Sequence, residues 1–313
     1  MIRVLLVLLI SGTFLSAQKK KYPAEVKDIK YKGADDTDQP ALYMPSSSSE
    51  KSPLLVALHQ WSGNYKTQSY YESVKWCINK KWHFIQPNFR GPNKTPRAMG
   101  SDLAVGDILK AVEFAKANGN VDSSRIYLLG CSGGGHATLL MAGRHSKIWA
   151  GASSWVPIHD IQRWHADSVK RKNKYHKMIE ASLGGNPFKS EKLAKDALYR
   201  SPKKWLKPSS LPIDINVGVH DGHTGSVPVG HSIRAFNDIA AEKDRISEKD
   251  IAYIEKNRKI PEHLEKPSSD SLFGNKKVLF RRQSGSARLT IFLGGHEVIQ
   301  KAALYWLEKQ VKR

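Results

Sequence analysis

Apolar and polar positions along this chain follow two periods in turn. Pro53-Leu-Leu-Val-Ala-Leu58, Trp82 to Gln86, Ile126-Tyr-Leu-Leu129, Ile148 to Val156 and Pro212-Ile-Asp-Ile-Asn-Val-Gly-Val219 are apolar runs of the kind found in strands buried on both faces. Between them lie stretches with helical spacing: Tyr70 to Lys80, Ser101 to Asn118, the residues after Gly134, and Val229 to Ala241. In the second of these, Ala104, Ile108, Ala111, Val112 and Ala115 share one face. Strands alternating with helices predict an α/β chain with a mostly parallel central sheet and helices on both faces. Lys277 to Gln283 and Ala287 to Leu293, joined at Ser284-Gly-Ser286, read as a pair of strands. Val298, Ala302, Tyr305 and Trp306 are expected to line one face of a final helix.

The period fails in three places. Residues 18 to 50 read as a tail with edge strands, one of them from Glu25 to Tyr31. Residues 157 to 212 mix charge with aromatics after a strand, where an insertion roofs the carboxyl edge of the sheet as a helical cap. Residues 242 to 275 form a second, charged insertion. The main α/β domain is expected over 51 to 313.

The chemistry centres on Gly130-Cys-Ser-Gly-Gly134, between the run ending at Leu129 and the helical stretch that follows. Gly-x-Ser-x-Gly between strand and helix is a nucleophile elbow, with Ser132 at a sharp turn and small residues letting the two backbones pass. Gly133 then offers a backbone N–H beside the nucleophile, and the Trp61 N–H, in the loop after Leu58, is the candidate second oxyanion donor. Asp221 lies just past a strand end, where a carboxylate can orient a histidine; an Asp-Gly turn or helix cap is the competing reading. His220, His223 and His231 crowd the same stretch, but without a helical histidine spacing or second carboxylate no metal site is expected. His296 lies between the last strand and last helix, where a general base belongs. The order Ser132, Asp221, His296 is that of α/β-hydrolases. His136 is expected to be structural. Trp155 and Trp164 are candidates for substrate contact among the aromatics around the cap, with packing as the competing role.

From about Leu54 to Arg313 the chain resembles the catalytic domain of the prolyl oligopeptidase family. The resemblance rests on Asn88-Phe-Arg-Gly91, Asp107 with Ala111-Val112, Val121-Asp122 with Arg125-Ile126, the elbow, Val227-Pro228 with Ser232, and Gly294-Gly-His296. It implies an α/β-hydrolase fold and a serine nucleophile. Counting from Pro212 puts Asp221 at the family's acid position, whereas counting back from Val227 puts Thr224 there; only Asp221 supplies an anion. Gln60 stands where a glycine commonly follows the histidine of the oxyanion loop. Too few residues precede Leu54 for the family's β-propeller, so the resemblance extends equally to stand-alone carbohydrate, feruloyl and acetyl esterases. Gly133 replaces the arginine that follows the serine in glucuronoyl esterases.

Met1 to Ala17 has a basic start, the apolar run Val4 to Ile10 and a small residue at its end. This is the pattern of a cleaved signal peptide, too short for a membrane span, and predicts a secreted or periplasmic protein. Only two cysteines occur, Cys77 and Cys131, readable either as a disulfide or as two buried thiols. The formal net charge of +21 is spread along the chain. It favours acidic partners, an acidic polysaccharide among them, although no nucleic-acid motif accompanies it. The expected activity is hydrolysis of a carboxylic ester through an acyl-enzyme, without a cofactor, on acylated polysaccharide or oligosaccharide. A serine peptidase and a non-catalytic hydrolase-fold binding protein are the alternatives.

Overall fold

A computed structural model describes residues 21–265 and 269–312; the expected leader at 1–17 lies outside them. Nine strands form one sheet in the order β1-β2-β4-β3-β5-β6-β7-β9-β8. They are β1 (Lys27–Lys32), β2 (Asp38–Met44), β3 (Ser52–Leu58), β4 (His83–Pro87), β5 (Val121–Cys131), β6 (Gly151–Trp155), β7 (Ile213–Gly218), β8 (Val278–Ser284) and β9 (Ala287–Phe292). The block from β4 through β3, β5, β6 and β7 to β9 is parallel, with β1, β2 and β8 antiparallel at the two edges. This is the mostly parallel α/β-hydrolase arrangement that the alternating pattern predicts.

Burial explains the strand assignments. All seven residues of β3 and all five of β4 and β6 are buried, as the uninterrupted apolar runs require. The helices α1 (Tyr71–Lys80), α2 (Asp102–Ala117), α3 (Gly133–Arg144), α7 (Val229–Ile239) and α9 (Gln300–Leu307) flank the sheet. In α2, Ser101 caps the amino end by accepting the Ala104 N–H, and the buried face includes the five residues expected from spacing. The final helix differs from expectation. Ala302, Ala303, Leu304 and Leu307 are its buried positions, while Tyr305 is exposed and meets Trp76 edge-on at 4.7 Å. The aromatic pair covers the seam between α1 and α9 from outside.

The edge strands are tied in by charge. Arg90 Nη2 donates to Asp107 Oδ1 (2.9 Å) and to Asp35 Oδ1 (2.7 Å), and Asp107 also accepts the Ala34 N–H. The β1–β2 turn is thereby fixed to α2. Between β6 and β7, residues 157 to 212 hold α4 (Ile161–Lys170), α5 (Tyr175–Leu183) and α6 (Glu191–Tyr199). Ile158, Ile161, Trp164, Ile179 and Leu183 form a second apolar cluster there, separate from the main core. The second insertion contains α8 (Glu248–Asn257), joined to α7 by bonds from Arg234 to Glu248 and Glu255. Among the described residues no helix is long and apolar enough to cross a membrane.

His59, His136 and His231 are among the fully buried histidines, and burial lowers the pKa of each, that of His136 to about 4. The unfolded chain, with histidine near its ordinary value of 6.5, binds protons that the folded chain refuses. Their contribution to stability is therefore complete above pH 6.5 and declines as the pH falls toward 4. The urea midpoint should drop between pH 7 and pH 4.5, and His136→Gln should lessen that drop; a midpoint independent of pH in this window would contradict the assignment.

Candidate active site

Ser132 sits between the end of β5 and the start of α3 at φ 61° and ψ −120°, a backbone conformation that L residues adopt only when held there. What holds it is close packing of main chain. A Cβ on Gly130 would lie 2.0 Å from the Gly134 carbonyl oxygen, and one on Gly134 would lie 2.0 Å from that of Leu58. Glycine is thus required at both positions for the strand, the helix and the end of β3 to meet. The Ser132 N–H donates to the Trp155 carbonyl at 2.8 Å, and the His136 N–H to the Ser132 carbonyl at 2.9 Å. Tyr70, fully buried, joins the same strand ends: its hydroxyl donates to Leu58 O (2.7 Å) and accepts the Cys131 N–H (3.1 Å).

Gly133 opens α3, so its N–H has no partner within the helix. A Cβ on Gly133 would lie 2.3 Å from the Trp61 amide nitrogen, so the two candidate oxyanion donors are neighbours. The Trp61 loop is fixed from several sides. His59 Nε2 bonds to Asn88 O (2.8 Å) with its ring stacked on Phe89, Trp61 O accepts the Asn93 N–H, and Gln60 Oε1 accepts the Ser69 hydroxyl. Gln60 turns toward the start of α1, away from the helix that follows the elbow.

Asp221 and His296 arrive from the ends of β7 and β9. Asp221 is buried, its Oδ2 lies 2.8 Å from His296 Nδ1, and its Oδ1 accepts the Gly222 N–H (2.8 Å). A carboxylate so placed fixes the imidazole tautomer and leaves Nε2 for proton transfer. Of the two residues that alignment offered for the acid, Asp221 is the one brought to His296. Thr224, four residues from His220, directs its hydroxyl to the His220 carbonyl. The acid also lies close to the elbow: the Cys131 thiol is pushed up by burial first and then by the Asp221 and Glu297 charges. Gly218 lets the histidine loop pass, since a Cβ there would lie 2.3 Å from Gly295 O. Glu297 Oε1 accepts the Gly295 N–H and the Lys276 ammonium, bracing that loop.

Other residues singled out from sequence lie elsewhere. Trp155 is fully buried, packs against Phe273 and Phe292 and donates its indole N–H to Ser153, so it presents no surface to a ligand. Trp164 is also fully buried; its N–H goes to Ser226 O, and its ring meets Trp61 edge-on at 4.6 Å. Both aromatics are therefore packing residues, Trp164 one step behind the oxyanion loop. His136 bonds to Arg200 O, as a structural histidine should. The crowded histidines diverge: His223 bonds to Glu255 O, while His231 Nδ1 accepts the His159 N–H and its Nε2 reaches Asp167. Cys77 and Cys131 are buried free thiols.

Two features escaped the sequence reading. Gly225 separates the acid loop from the base: a Cβ there would lie 2.3 Å from Asp221 Oδ1 and 2.4 Å from His296 Cβ. Its one signal was the disagreement between the two counts to the acid, Asp221 against Thr224, and only the folded loop shows what the missing side chain leaves room for. The cap also does more than roof the site. Trp61 and Val227, on two of the loops that surround Ser132, belong to the apolar cluster of α4 and α5, and Ser62 contacts Met178 of α5.

Residues 93–244 match the model of the prolyl oligopeptidase family. The chain has the α/β-hydrolase fold. Its structure is similar to the Pyrococcus horikoshii acylaminoacyl peptidase, with a TM-score of 0.63 at 17% identity, covering 92% of this chain and 42% of that one. It is similar also to the acetyl xylan esterase of Paenibacillus sp. R4, with a TM-score of 0.59 at 17% identity, covering 93% and 87% of the two chains. These likenesses are of fold. In sequence it is 29% identical over 126 residues to poly(3-hydroxyalkanoate) depolymerase C of Paucimonas lemoignei, covering 36% of this chain and 29% of that protein. The chain spans well under half the length of both the depolymerase and the peptidase.

Because Gly225 leaves no room for a methyl group between acid and base, Gly225→Ala should displace one from the other. A misplacement on the order of 1 Å costs about 100-fold in turnover. The variant should keep its circular dichroism and lose ester turnover by about that factor; turnover within threefold of wild type would show that the contact is not needed.

Proposed function

We propose that this hydrolase is an exported esterase that removes acyl groups from polysaccharide or oligosaccharide fragments by an acyl-enzyme mechanism. The observation that carries the mechanism is the arrival of His296, bonded to Asp221, at the strand edge where Ser132 is held beside two neighbouring amides. In this reading His296 takes the Ser132 proton as the oxygen attacks the ester carbonyl. Asp221 stabilises the imidazolium, and the Gly133 and Trp61 N–H groups bind the oxyanion. The alcohol leaves with the proton from His296, and water activated by the same imidazole frees the acid. Every step uses groups of this chain and no cofactor.

An ester substrate is supported by the acetyl xylan esterase, which this chain matches over most of both lengths, and by the depolymerase. Export rests on the sequence pattern of residues 1 to 17. Cleavage of peptides is the second reading, favoured by the family match and by the fold of the acylaminoacyl peptidase. A peptidase of the aminopeptidase kind needs carboxylates facing the substrate's amino terminus. Glu180 is engaged by His165, Glu191 by Lys195 and Glu72 by Lys75.

An aryl acetate, an aryl ferulate and a prolyl anilide, offered to wild type and to Ser132→Ala, separate these readings. Ester turnover should be present in wild type and fall about a thousandfold or more in the variant, with the anilide untouched. Anilide cleavage at a comparable rate would make the protein a peptidase, and a labelled fluorophosphonate that fails to modify Ser132 would remove the serine from the chemistry.

A further inference from the structure

The turn between α4 and α5 carries Lys170, Arg171, Lys172 and Lys174, followed on the first turn of α5 by Lys177. All five are exposed, and among the described residues none makes an ion pair with a carboxylate of the chain. Most other arginines are engaged differently. Arg90, Arg125, Arg144, Arg200, Arg234, Arg281 and Arg288 each bond to a carboxylate. Asp167, one of the two carboxylates of α4 and its capping loop, is turned to His231, and the other, Asp160, to Lys203.

Three contacts place this turn at the mouth of the site. The Arg171 guanidinium lies against Gly222, next to the triad acid: a Cβ on Gly222 would be 3.2 Å from Arg171 Nη2. Tyr175, which follows Lys174, stacks on Trp164 at 4.9 Å, and Trp164 bonds to Ser226 O in the acid loop. On the far side Met178 meets Ser62 of the oxyanion loop. The α4–α5 turn and the start of α5 therefore reach both the oxyanion loop and the acid loop, with Arg171 on the side of Asp221.

The side matters because His296, as general acid, hands its proton to the departing alcohol, so the alcohol half of the ester lies toward His296 and Asp221. We propose that the α4–α5 turn is an anion-recognising rim, and that the ester this enzyme hydrolyses carries a carboxylate on its alcohol half, as an acylated acidic sugar does. The inference rests on the esterase reading above and narrows its substrate class. Several exposed cations grouped on one turn, with only the Asp167 carboxylate near Arg171 to offset them, raise the local concentration of an anionic substrate and favour its binding, by an amount that salt reduces. Arg171 supplies a planar pair of donors suited to a carboxylate, and the lysines supply charge.

The test compares 3-carboxy-4-nitrophenyl acetate with 4-nitrophenyl acetate, so that the acyl group is constant and only the alcohol half gains an anion. The ratio of their kcat/KM values is measured in wild type, in Arg171→Ala/Lys172→Ala/Lys174→Ala and in Arg171→Glu. Removing the three cations should lower kcat/KM for the anionic ester about tenfold and leave the neutral ester within about twofold, since none of the three touches the reacting atoms. Arg171→Glu should lower the ratio further. In wild type, raising NaCl should depress turnover of the anionic ester alone. Equal changes for both esters, or no change in either, would overturn the rim. Turnover of the neutral ester that vanishes in Ser132→Ala establishes the hydrolase independently, so a hydrolase indifferent to the carboxylate refutes this inference and leaves the esterase reading standing.

Discussion

Everything at this site depends on how closely three pieces of main chain approach one another at the elbow. The end of β3, the end of β5 and the first turn of α3 meet where Gly130, Gly134 and Gly133 present no side chain, with atoms of Gly134, Leu58 and Trp61 occupying the places a Cβ would take. The approach does two things together. It forces Ser132 into the left-handed region, which lifts its side chain off the strand edge, and it sets the Trp61 amide beside that of Gly133. Ser132 and the two amides are consequently held as one packed unit, although they come from two loops. Tyr70 closes the unit by bonding both strand ends, and the strain at Ser132 is sustained by packing that cannot relax locally.

The acid and base are held by a looser principle. Asp221 and His296 come from strands further along the sheet, on loops braced by short-range bonds to Gly222 and Glu297. Their mutual position is set by contact, with Gly225 as the spacer. The cap couples the two regions: one apolar cluster contains Trp61 from the oxyanion loop and Val227 from the acid loop, with Trp164 touching both through its ring and its N–H. Burial of those side chains does the work a single continuous core does elsewhere, so cap integrity and site geometry are linked through Trp164.

Much of this was legible in the sequence because it follows from local rules. Runs buried on both faces announced β3 through β7, a Gly-x-Ser-x-Gly between strand and helix announced the elbow, and strand-end positions pointed to Asp221 and His296. What failed was whatever depends on partners distant in the chain. Tyr305 has helical spacing with apolar residues, yet it packs edge-on against Trp76 outside, because α1 rather than the sheet is what it meets. Trp155 and Trp164 lie near the site in sequence logic, but their indoles are consumed by packing and hydrogen bonds within the protein. Gly225 lies in the stretch where the two counts to the acid position disagree. Its importance lies in two side chains, one of them 71 residues away, that only the fold brings to it.

The same distinction applies to charge. From composition, the +21 balance is a diffuse property, compatible with simple solvation. The structure sorts it. Arg90 and Arg234 are spent on fastening a turn or an insertion to the body of the protein, each facing two carboxylates. The cations from Lys170 to Lys177 make no ion pair among the described residues, Arg171 feels the Asp167 carboxylate only at a distance, and their mutual repulsion costs free energy in the folded state. A repulsive cluster placed between two loops that surround Ser132 is understandable if its field acts on what enters there. Position, more than number, is what turns a basic protein into one with a basic entrance.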